Sequence, residues 1–176
     1  MSLMSDLWAL HEARGDITRI TAQIEALRGI ATRTGQITEG ERVQTSGSGD
    51  KLSAIAAKIV DAEREREKSE DEFVAIFTAV QRVIYSLPDE DEQLVLTFRV
   101  IGDMPASRSA QELCAQTGRI ISERQERRIY SRARSHVNDL GDSAQGQALT
   151  RTVEAFRREK DVRRCPQMSA NDRGIL

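Results

Sequence analysis

Aromatic side chains are scarce in this 176-residue chain, at 4% of its residues. With 31% charged residues beside them, that scarcity favours long helices or coiled coils over a broad globular core. Cysteine is nearly missing. Cys114 stands among apolar residues and Cys165 in a polar stretch, and neither has metal-ligand partners at suitable spacing, so both read as reduced thiols of a cytoplasmic protein. No apolar run approaches the roughly 20 residues needed to cross a bilayer, and no signal peptide is apparent, so no membrane partner is expected. The two histidines, His11 and His136, are far apart and lack an evident nucleophile or metal cluster. No catalytic, metal or cofactor site is therefore expected, and the chain reads as non-enzymatic.

Charge of one sign is missing overall, with a net −2, which excludes a protein that coats nucleic acid through a generally basic surface. The distribution is uneven, however. Residues 1–50 carry 5 basic and 7 acidic side chains, 51–101 carry 7 and 11, and 102–176 carry 14 and 10. Positive charge gathers in the C-terminal half.

What is abundant is heptad spacing. Leu10, Ala13, Ile17, Ile20, Ile24, Leu27 and Ala31 recur three and four residues apart and predict a first helix over about 3–31. The Gly-, Ser- and Thr-rich stretch 35–50 predicts a loop. A second heptad series runs Leu52, Ile55, Ile59, Ala62, Arg66, Ser69, Phe73, Ile76, Val80, Val83 and Leu87, with Arg66 and Ser69 interrupting its apolar seam. Residues 1–87 thus read as a coiled-coil hairpin or arm. Leu87-Pro88 closes it, and Asp89 to Glu92 supply acids to the start of an apolar helix over about 89–101.

A short helix over about 109–116, a turn at Thr117-Gly118 and an arginine-dense helix capped by Ser122 follow. This is the outline of a helix-turn-helix, whose second helix enters the DNA major groove. Arg119, Arg124, Arg127, Arg128, Arg132 and Arg134 outnumber Glu123 and Glu126 there. Arg124, Gln125 and Arg128, on the first turns, are the candidates for base edges. Arg119, Arg127 and Arg132 are candidates for phosphate, as are the Ser122 hydroxyl and the helix N-terminus. Residues 88–140 form this domain, and 141–176 read as a polar, partly disordered tail with one weak helix near 148–162. The fold class expected is all-α.

The runs ARGDITRITAQIEALRGIATRTG, ERVQTSGSGDKLSAIAAKIVDAERE and IYSLPDEDEQLVLTFRVIGD resemble a phage and prophage family related to the RinA- and ArpU-type late transcriptional regulators. The resemblance extends over about residues 10–140. It implies an N-terminal helical region joined to a helix-turn-helix similar to sigma-factor region four. Where that pattern has an apolar residue soon after the turn's serine, this chain has Gln125 and Glu126.

The function expected is sequence-specific binding of double-stranded DNA by a transcriptional regulator, homodimeric through its heptad helices, with RNA polymerase as a further partner. Two alternatives differ in stoichiometry or in DNA binding: a recognition subunit for phage DNA packaging, similar to a small terminase, and a coiled-coil scaffold.

Overall fold

The structure, a computed structural model, describes residues 2–40 and 48–164. It is all-helical, with no strand among the described residues. The chain divides into two compact units. One contains Trp8–Thr78; the other joins the chain up to Leu7 to the chain from Ala79 onward. The boundary expected at residue 87 therefore moves, because the last turns of the second long helix and the first residues of the chain both belong with the C-terminal helices.

The Trp8–Thr78 unit is an antiparallel pair of long helices, α2 (Ala9–Gly40) and α3 (Ser48–Tyr85). Ile20 and Ile24 of α2 pack on Ala62 and Ile59 of α3. Arg28 pairs with Glu63 at 2.7 Å, and the Arg14 guanidinium lies 5.9 Å from the centre of the Phe73 ring. Ascending numbers on one helix meet descending numbers on the other, so the two heptad stripes cover each other within one chain. At the polar breaks in the α3 seam, Ser69 is buried and Arg66 is half-buried, its Nε 3.3 Å from Glu70. The first expected helix is broken by a turn at Trp8, which separates α1 (Leu3–Leu7) from α2. Of the loop expected at 35–50, residues 35–40 continue α2 and 48–50 open α3; residues 41–47 lie outside the described residues.

The other unit is built on α4 (Glu90–Leu96), extended by a π-helical turn (Thr97–Ile101), on α5 (Ala106–Thr117) and on α6 (Glu123–Asp139). Asp89 caps α4 by accepting from the Asp91 and Glu92 amides, and three acids in the first turn suit the positive end of the helix. Val95, Phe98 and Leu113 form the centre of the core, covered by Leu94, Met104, Ile121, Ile129 and Tyr130.

The region expected to be a polar tail is instead structured over most of its length. A 3-10 turn (Leu140–Asp142) leads into α7 (Ala144–Arg164), whose Leu149, Val153 and Phe156 are buried. These three recur at helical spacing within a charged segment, enough to make one narrow apolar edge. α1 packs on α6 and α7, and its buried Asp6 accepts from Thr150 Oγ1 and Arg157 Nη1, both at 3.1 Å. Gly146 permits the close return of the chain, since a Cβ there would stand 2.2 Å from the Leu140 carbonyl oxygen. Residues 165–176, with Cys165, lie outside the described residues. Among the described residues, no helix is long and apolar enough to cross a membrane.

Candidate nucleic-acid interface

Helices α5 and α6 are joined by a tight turn of local making. α5 ends at Gly118, in the left-handed region with φ of 68°, and its amide donates to the Cys114 carbonyl. A side chain at that backbone angle would be strained, which glycine avoids. Cys114 secures the rest of the turn: its Sγ accepts from the Ile121 amide at 3.1 Å and lies 3.4 Å from the Ile121 carbonyl. Ile121 then points into the core beside Leu113.

Ser122 is the N-cap of α6 and forms a reciprocal capping box with Gln125. Ser122 Oγ accepts from the Gln125 amide at 3.3 Å, while Gln125 Oε1 accepts from the Ser122 amide and hydroxyl, both at 2.8 Å. Such a cap contributes about 1 kcal/mol to helix stability. Both polar residues chosen from the sequence for contact with nucleic acid are therefore engaged in starting the helix. Gln125 is exposed, and Glu126 takes the inward position.

The arginines fall into two groups. Arg132 bridges to the α4 cap, with Nε donating to Glu92 and Nη2 to Asp89 at 2.7 Å. Glu92 is fully buried, and His136 Nδ1 donates to its other oxygen at 2.7 Å. The hydrogen bond that Arg132 donates to Glu92 raises the Arg132 pKa above its ordinary value, against a lowering contribution from desolvation. The pair contributes stability below the unfolded arginine pKa and would lose it only as pH rose through the still higher folded value. The phosphate role expected for Arg132 thus meets an intramolecular partner. Arg119 is paired with the half-buried Asp91 and Arg127 with the exposed Glu123; both arginines are exposed, where ion pairs contribute little.

Arg124 and Arg128 differ. Both are exposed and, among the described residues, neither has an ion-pair or hydrogen-bond partner for its side chain. With Ser131 and Ser135, also exposed, they follow one another at intervals of four, three and four residues, which places them along one outward line of α6. The serines carry no long side chain, so the line stays accessible beyond the two guanidiniums. Each guanidinium offers a planar fork of donors suited to paired acceptor atoms, as on phosphate, carboxylate or a guanine edge. At its N-terminal end the line borders a shallow depression of about 330 Å³, lined by Asp91, Arg119, Ile120, Ile121, Gln125, Arg128 and Ile129.

Glu126 is the anomaly of the site. It is fully buried, and neither carboxylate oxygen accepts a hydrogen bond. Its nearest countercharge is Arg99 Nε at 3.8 Å, and Arg99 also donates to the Met104 carbonyl and lies 4.9 Å from the Tyr130 ring centre. A run of polar residues in the sequence conceals such a position, because only the helix phase set by Ser122 shows which member turns inward. Ser131, Ser135 and Ile120 carry no signal of a site in the sequence, because neither charge nor a capping position marks them. Among the described residues, no group of three or more His, Cys, Asp or Glu side chains has an arrangement able to hold a metal ion.

Comparison of the chain with protein-family models, curated proteins and solved structures returns no match.

Proposed function

We propose that this protein is a sequence-specific DNA-binding regulator of transcription, of phage or prophage type, acting in the cytoplasm by occupying its site rather than by chemistry. One observation carries the reading: Arg124 and Arg128, unpaired among the described residues, stand on the outward line of a capped helix that follows a tight turn. In this reading the first turns of α6 enter the major groove, and those two arginines bridge the N7 and O6 acceptors of guanine. Arg119 and Arg127 exchange their carboxylate partners for phosphate, with the counterion release that makes such binding salt-dependent.

The likeness of the sequence to late transcriptional regulators supports the same assignment and adds RNA polymerase as a partner. The reading includes a homodimer joined through the long helices and docked at half-sites about one DNA turn apart. Because α2 and α3 cover each other's stripes, that dimer would use outward side chains such as Ile30, Val60 and Val74, all exposed.

The test is a titration of the protein into duplexes from the regions flanking its own coding sequence, at two salt concentrations and with scrambled competitor. Competitor-resistant binding that Arg124→Ala and Arg128→Ala each weaken about ten-fold is the expected result. Binding without sequence preference, or no binding at low salt, overturns the proposal.

A further inference from the structure

The turn before α6 carries an apolar side chain that the fold does not use. Ile120 is 98% exposed, while its neighbour Ile121 fills the core. A polar residue would serve the turn equally well, because nothing among the described residues covers this position. Single exposed aliphatic residues are common, so exposure alone assigns nothing. Its position does. Ile120 forms one wall of the depression that Gln125 and Arg128 also line, whereas the exposed Tyr85 and Val162 of the same unit do not border it. A rigid apolar surface and a free guanidinium thus face the same space. The stiffness is intrinsic, since branching at Cβ restricts χ1.

From this juxtaposition we infer that Ile120 is a specificity-determining residue that reads the 5-methyl group of thymine in the major groove, beside the base that Arg128 reads. The inference rests on the DNA-binding function proposed above and adds a second chemistry to it. Guanine presents paired acceptors to an arginine, while thymine alone among the four bases presents a methyl group to an apolar side chain. The expected target therefore contains a thymine within one or two base pairs of a guanine. An apolar wall next to a donor fork selects that combination. Cytosine at the thymine position would place an amino donor against the isoleucine, and adenine would place one there too. Both would lose water without gaining a hydrogen bond.

The experiment is selection of binding duplexes from a pool with a randomised core, using the full chain and its Ile120→Ala variant. Each thymine of the selected duplex is then replaced by uracil, which removes only the methyl group. The expected result is that uracil at one position next to a guanine weakens wild-type binding about four-fold, the scale for one buried methyl. Ile120→Ala should bind the thymine and uracil duplexes equally, with an unchanged thermal melt. If the wild type selects a sequence yet tolerates uracil at every position, the inference fails and the DNA-binding reading stands. It fails too if Ile120→Ala keeps the thymine preference, or weakens both duplexes alike. If the wild type selects no sequence, the reading beneath it falls first.

Discussion

The two halves of α6 carry the same kinds of side chain and meet opposite surroundings. In the C-terminal half, Arg132 and His136 converge on the buried Glu92, with Asp89 beside it. In the N-terminal half, Arg124 and Arg128 have no ion-pair or hydrogen-bond partner among the described residues, and neither oxygen of the inward carboxylate, Glu126, accepts a hydrogen bond there. Arg132 and His136 thus share a hydrogen-bonded buried acid, whereas Arg124 and Arg128 stand near a buried acid that accepts no hydrogen bond and pair with no acid among the described residues. Arginine density alone does not mark a binding surface. What matters is which cations the protein's own acids have already engaged.

The comparison breaks most visibly at Glu92. Glu92→Ala removes the shared acceptor of Arg132 and His136 and should lower unfolding free energy by about 3 kcal/mol, at the low end for a buried pair because both partners are partly exposed. Urea denaturation would measure it, and a loss under 1 kcal/mol would mean that the network contributes little. Next in size is Arg128→Ala, which should weaken DNA binding by about 1.4 kcal/mol, ten-fold, while leaving stability within about 0.5 kcal/mol. A fluorescence titration beside a melt would separate the two effects. Glu126→Leu tests the unsatisfied acid, and stability should rise by about 1 kcal/mol, since apolar replacement of a poorly satisfied buried charge is commonly favourable. A fall in stability would show that the Arg99 contact outweighs the desolvation. Smallest is Arg127→Ala, whose exposed pair with Glu123 should be worth under about 0.5 kcal/mol, best read by a double-mutant cycle.

These contrasts also show what the sequence could and could not disclose. The cap at Ser122 and the turn at Gly118 were legible because they are built from neighbours within four residues. The long helices were legible because their apolar stripes repeat. The tie between Arg132 and Glu92 spans 40 positions, and no local pattern announces it. Glu126 breaks the apolar rhythm at a position where the fold nonetheless buries it, so the rhythm pointed elsewhere. In α7 three apolar residues among many charges pointed to a weak helix near 148–162 but not to its docking, since α1, which packs on it, lies more than 130 positions away. The all-α class followed from periodicity, whereas the choice of free arginines required the folded chain.

The hydrogen bond from Thr150 to Asp6 joins residues 144 positions apart. In topological terms, the two-helix unit is an insertion between the opening segment and the rest of its own unit. The inserted hairpin can form from contacts made early in synthesis. Its host cannot complete its packing until the ribosome has released α7, because α1 packs on that helix as well as on α6. Contacts of such long range slow folding, and they give the two units different histories within one chain. A nascent chain stopped before residue 144 would carry a complete hairpin and an α1 that has α6 but still lacks α7.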